Sequence, residues 1–163
     1  MKIFLLLILL ALSTSLPAQD GIPGRYRDYF GSRLYLHADS TFEYTRNLHL
    51  SSSWTKGRWK LTKKVICLEM IPIWDTLTVA EPGKLPTDSL VLSEDDMPER
   101  ISLSEHTGML LSSGGQNRFP YPRKLLWKKG RLYKIENGKV IYRKQKGFST
   151  KKKWATWYFK SDD

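Results

Sequence analysis

Arg33-Leu34-Tyr35-Leu36-His37-Ala38-Asp39-Ser40-Thr41-Phe42-Glu43-Tyr44-Thr45 reads as two strands around a tight turn. Leu34 and Leu36 alternate with Tyr35 and His37, and Phe42 and Tyr44 alternate with Thr41, Glu43 and Thr45. In a strand, successive side chains point to opposite faces, so this period of two marks one apolar and one polar face. Putting Leu34, Leu36, Phe42 and Tyr44 on one face requires Leu36 opposite Phe42. Ala38, Asp39 and Ser40 then form a three-residue loop, with Ser40 where glycine is usually favoured.

A second hairpin rests on turn chemistry. Asn137-Gly138 separates Leu132–Glu136 from Lys139–Lys144, and Asn and Gly best tolerate the two positive φ angles of a type I′ turn. The spacing predicts Glu136 opposite Lys139, Ile135 opposite Val140 and Tyr133 opposite Tyr142. Upstream, Lys128-Lys129-Gly130 fits a three-residue loop with Gly130 in the left-handed position. That loop would place Leu125 and Trp127 on the face of Tyr133 and Ile135, making residues 123–144 a three-stranded meander. Short alternating runs recur elsewhere between Gly, Pro, Asn and Asp. Strands are therefore expected at about 25–30, 32–37, 41–49, 54–61, 64–71, 75–79, 89–93, 99–104, 123–128, 131–136, 139–144 and 153–160. Residues 105–122 carry no clear period, and no segment past the N-terminal run shows sustained helical spacing.

The N-terminus has the layout of an export signal: Lys2, an apolar run from Ile3 to Leu12, then small or turn-forming residues to Ala18. A membrane-crossing helix needs about 20 apolar residues, and this run is half that. Residues 1–18 are thus read as a signal peptide cleaved after Ala18, and residues 19–163 as a single domain exported to the periplasm or beyond. Cys67 is the only cysteine, so neither an intrachain disulfide nor a lipid-bearing cysteine at the new N-terminus is expected. Within the apolar stretch Val65–Met70 it reads as a buried, inert thiol.

The order Gly24-x-Tyr26, Leu34-x-Leu36-x-x-Asp39-Ser40-Thr41-Phe42-x-Tyr44, Gly57-x-Trp59-x-Leu61 and Ile66-x-Leu68 resembles the small secreted lipocalin-like (calycin-type) β-barrel modules of bacteria. The resemblance spans residues 24–68. It implies an all-β fold, an antiparallel meander closing into a lipocalin-like barrel of about eight to ten strands, with a cup for a small apolar or amphipathic ligand. The Cys-x-x-Cys pair and lipid-attachment cysteine of the related copper-resistance lipoproteins are missing, so metal sensing and tethering do not carry over. Phe42, Tyr44, Trp59, Tyr133 and Tyr142 are expected to face inward as core filler first, with Tyr44, Trp59, Tyr133 and Tyr142 as the ligand-lining residues if a cup exists.

The sequence holds no Gly-x-Ser-x-Gly elbow, phosphate-cradling glycine loop or His-Glu-x-x-His pair. His37, His49 and His106 are scattered and read as surface groups, so no metal, cofactor or catalytic residue is expected. Glu94-Asp95-Asp96, with Asp88 and Glu99, reads as a solvated turn rather than a calcium loop.

Charge is segregated along the chain. Residues 118–160 hold fifteen Lys and Arg against the single acid Glu136, a net of +14, while the rest of the mature chain nets to −4. Trp127, Tyr133, Tyr142, Trp154, Trp157 and Tyr158 are interleaved with these cations. Lysines on outward faces also protect strand edges, and aromatics on the other face fill cores. Two readings follow: a non-enzymatic binding module for a small ligand at the cell envelope, or a polyanion-binding surface made by Lys134, Arg143, Lys144, Lys151, Lys152 and Lys153. Outside the cytoplasm the polyanion would be an acidic glycan or lipid head group, with nucleic acid disfavoured.

Overall fold

The computed structural model describes residues 21–48, 51–112, 114–147 and 150–161; residues 1–18, where the signal peptide is expected, and His49 lie outside them. Strands β1 (Gly24–Arg27), β2 (Ser32–Leu36), β3 (Thr41–Leu48), β4 (Ser51–Thr62) and β5 (Val65–Met70) form an antiparallel meander. An appendage of β6 (Trp74–Val79), β7 (Thr87–Leu92), β8 (Arg100–Ser102) and helix α1 (Leu103–Ser112) follows, and then β9 (Lys124–Lys128) and β10 (Arg131–Glu136) rejoin the sheet. Next come β11 (Lys139–Val140), the ribbon β12 (Lys144–Lys146) with β13 (Lys153–Ala155), and β14 (Tyr158–Ser161). β5 pairs with β9, β9 with β10, β10 with β14 and β14 with β1, so eight strands close into an antiparallel barrel, with β11 as an outside strand on β10.

The first hairpin adopts the register its alternation predicts, with Leu34 opposite Tyr44 and Leu36 opposite Phe42. Ser40 takes the left-handed conformation at φ 68°. Asp39 Oδ1 makes that tolerable by accepting from Thr41 N at 2.9 Å and Thr41 Oγ1 at 2.6 Å. The Asn137-Gly138 turn also forms, with Ile135 opposite Val140 and Glu136 opposite Lys139.

The loop before β10 differs from expectation. Arg131 pairs with Lys128, leaving only Lys129 and Gly130 in the turn, both at positive φ. A two-residue loop moves the register by one, and a one-residue slip turns every side chain to the other face. Leu132 and Lys134 therefore join Leu125 and Trp127 on the inner side, while Tyr133 and Ile135 face outward. Tyr142 is about half exposed, also against expectation, because the strand expected at 139–144 ends at Val140 and resumes at Lys144. The strand expected at 153–160 likewise breaks at Thr156–Trp157. Cys67 is partly exposed rather than buried: it pairs with Lys60 and Lys124 on the outer face, while Ile66 and Leu68 point in.

Helix α1 is the element the periodicity hides. Its Leu103, Leu110 and Leu111 are exposed, so no apolar stripe marks it. Its start is marked instead by a capping box: Ser102 N donates to Glu105 Oε2 at 2.7 Å and Glu105 N to Ser102 Oγ at 3.3 Å. Gln116 ties the appendage to the barrel, accepting from Ile73 N at 2.8 Å and donating to Ile71 O at 2.9 Å.

The core comprises Ile22, Tyr26, Leu34, Leu36, Phe42, Tyr44, Trp59, Ile66, Leu68, Leu125, Leu132 and Tyr158. Burying a large apolar side chain is worth about 1.5–3 kcal/mol, so this layer dominates stability. Gly57 in the Gly-x-Trp segment has a steric reason: an added Cβ would stand 2.0 Å from Glu69 O and 2.8 Å from Phe42 Cε1. Gly57→Ala should cost about 3 kcal/mol, as overpacking against backbone does, measured by urea unfolding. At the β4–β5 turn, Lys63 and Lys64 both have positive φ, 47° and 75°. Replacing them with Asn-Gly should stabilise the protein by about 1–2 kcal/mol.

Candidate functional site

The four residues expected to line a cup do not converge. Tyr44 and Trp59 are buried in the barrel core. The Tyr44 hydroxyl donates to Ser32 Oγ at 3.3 Å and Trp59 Nε1 to His37 O at 3.0 Å. Tyr133 lies on the outer face with its ring centroid 5.0 Å from Tyr142 and 5.5 Å from Trp157. An open groove of about 700 Å³ reaches Trp59 and Leu68 at the rim, but Arg58, Lys60, Glu69 and Lys124 also line it. Twelve core side chains occupy the apolar interior.

Five of the six basic residues divide between two places, and Lys151 lines neither. Lys144, Lys152 and Lys153 line an outer groove of about 330 Å³ together with Arg131. Its floor is aromatic: Tyr29 lies 4.9 Å from Trp154 and 5.0 Å from Phe159 between ring centroids. Cations sit over these rings, Lys152 Nζ 4.2 Å from the Trp154 centroid and Arg131 Cζ 5.7 Å from that of Trp157. Such contacts contribute about 0.5–1 kcal/mol each at exposed sites and hold the cations in place. No acidic side chain is among the described residues lining this groove. Lys151 is exposed on the ribbon turn outside it.

Lys134 and Arg143 instead line a smaller cavity of about 160 Å³ at one pole of the barrel, with Asp28, Ser32, Arg46 and Thr156. Arg46 pairs with Ser32 and Ser53, continuing the inward row Phe42, Tyr44. Asp28, with no exposed side-chain surface, accepts from Phe30 N at 2.8 Å and Ser32 N at 2.9 Å through Oδ1. Its Oδ2 faces Lys134 Nζ at 3.5 Å. Lys134 Nζ also lies 5.2 Å from the Tyr158 ring centroid. Thr156 Oγ1 donates to Arg143 O at 2.7 Å, pinning the ribbon beside the pole.

Asp28, Tyr29, Arg46, Arg131 and Phe159 escaped the sequence reading. Arg46 and Lys134 had one available signal, a cation falling in the inward register of an apolar row. Tyr29, Arg131 and Phe159 had none, because they come from the β1–β2 turn, β10 and β14 and meet only in the closed barrel.

Among the described residues no group of three or more His, Cys, Asp or Glu could hold a metal ion, and no helix is long and apolar enough to cross a membrane. His37 Nε2 lies 3.6 Å from Glu43. Two acids of the 88–99 region are tied to cations, Asp88 to Arg100 Nη1 at 2.9 Å and Asp96 to Lys56.

Burial also tunes the core phenols. Desolvation pushes Tyr26 up to about 12 and raises Tyr44, and it drives Tyr158 well above the ordinary 10.0, aided by the nearby Tyr44 and Asp28. A raised folded pKa means the folded protein keeps a proton that the unfolded chain releases, so stability falls as pH rises above 10. Tyrosinate absorbance should show three of the eight tyrosines titrating above the rest. Urea midpoints should be level below about pH 9 and drop beyond pH 10. Ordinary titration of all eight would refute this packing.

Compared with protein-family models, curated proteins and solved structures, the chain finds no match in any of the three.

Proposed function

We propose that this is an exported, non-enzymatic binding module of the lipocalin-like kind, whose outer groove holds acidic glycans at the cell envelope. The observation that carries the reading is the groove itself: Tyr29, Trp154 and Phe159 form a ring floor edged by Arg131, Lys144, Lys152 and Lys153, with no carboxylate among its described lining. Aromatic faces suit the flat C–H faces of sugars, and the cations suit carboxylate or sulfate groups. The filled apolar core speaks for this reading over a small apolar guest. Export supports an extracellular polyanion; it rests on the leader pattern in residues 1–18.

Binding to heparin across a salt series tests the proposal. Removing two engaged cations with Lys152→Gln and Lys153→Gln should lower the slope of log affinity against log salt by about two. The same charge loss at Lys63 and Lys64, on the β4–β5 turn, should leave the slope unchanged. Trp154→Ala should weaken binding at every salt concentration by about 1 kcal/mol with little change in slope. Equal effects from the two lysine pairs would reduce the attraction to net charge and overturn the site. Preference for anionic lipid vesicles over heparin would overturn the glycan assignment.

A further inference from the structure

The cavity at the barrel pole is built differently from the outer groove, and its chemistry is more selective. Asp28 Oδ2 and Arg46 Nε are buried, and neither has a hydrogen-bond partner among the described residues. Both residues line the same cavity. Oδ1 of Asp28 is engaged by two backbone amides, and Lys134 Nζ approaches Oδ2 only to 3.5 Å, an ion pair longer than a good hydrogen bond. The Arg46 guanidinium carbon lies 5.6 Å from the Phe119 ring centroid, which positions the group without satisfying its N–H. Buried donors and acceptors are ordinarily paired, so an unmet acceptor and an unmet donor around one cavity define what its occupant must supply.

That occupant needs a hydroxyl or similar donor for Asp28 and an acceptor for Arg46. Charge narrows it further. Arg46, Lys134 and Arg143 face Asp28 and Glu136 across the cavity, three cations against two carboxylates, so one negative charge is matched and a second is not. A carboxylate fits this balance, and the arginine fork matches carboxylate geometry. A volume of about 160 Å³ corresponds to about five waters at roughly 30 Å³ each, room for one small polar unit.

Three segments supply neighbouring residues to the cavity and to the outer groove. Asp28, Arg143 and Thr156 line the cavity, and Tyr29, Lys144 and Trp157, the next residue in each case, line the groove. We infer that the polar pole is a second site, which takes the terminal unit of an acidic glycan, a cyclic hydroxy acid carrying one carboxylate. The ligand class rests on the glycan reading of the groove; the demand for a paired donor and single negative charge rests on the cavity alone.

Calorimetry with monomeric glucuronate, glucose and inorganic sulfate on the folded protein tests this, together with crystals grown in glucuronate. Glucuronate should bind, glucose and sulfate should bind about tenfold or more weaker, and Arg143→Gln should cost about tenfold in glucuronate affinity. Arg143 is exposed, so this variant keeps its fold; Arg46→Gln should abolish binding, with thermal unfolding confirming that it is folded. The Lys152/Lys153 double variant should bind glucuronate as the wild type does, so failure of the pole and failure of the groove give different results. The inference is overturned if the crystals show only water in the cavity. Equal affinity for sulfate or glucose, or glucuronate affinity unchanged by Arg143→Gln, would overturn it as well.

Discussion

The pairing of β14 with β1 on one side and β10 on the other is the constraint on which the rest of the structure depends. Without it the sheet would end in two open edges, each a row of unpaired amides and carbonyls. Closure also sets the two faces of β14. Tyr158, opposite Leu132, enters the core and is fully buried, while Phe159, opposite Arg27 and Arg131, turns out to the groove. One short strand thus supplies an aromatic to the interior and the next to the surface. The ribbon β12–β13 just before it brings Lys144, Lys153 and Trp154 to the same groove.

A barrel of eight strands has an interior about wide enough for its own side chains. Here the interior is divided. Aliphatic and aromatic residues fill most of it, and at one pole Asp28, Ser32, Arg46 and Lys134 replace them. Buried charges lower stability unless paired, and apolar substitutes of similar volume often do better. Asp28 is only partly paired with Lys134, and Arg46 Nε has no hydrogen-bond partner among the described residues, so the pole is incompletely satisfied. That deficit is the physical basis for reading the pole as a place for another molecule.

Much of the fold was legible in the sequence because it is local. The register of residues 33–45 followed from four apolar side chains needing a common face, and Asn137-Gly138 announced its own turn. The Lys129-Gly130 turn was misread because lysine seldom takes the left-handed first position of a type I′ turn, and a loop one residue too long put Tyr133 inside and Lys134 outside. Helix α1 was invisible to periodicity because Leu110 and Leu111 face solvent, and only Ser102 and Glu105 marked its start. The lysines of the groove and Trp154 stood out by composition. Tyr29, Arg131 and Phe159 did not, since they meet only when strands distant in sequence close the barrel.

Amide hydrogen exchange resolved by residue tests closure by β14 most directly. The account predicts that the amides of Tyr158–Ser161 that bond to β1 and β10 exchange as slowly as those of β2 and β3, opening only with global unfolding. Rapid exchange throughout β14 beside a protected β2–β5 meander would contradict it, because the groove and the polar pole would then have no strand to hold them together.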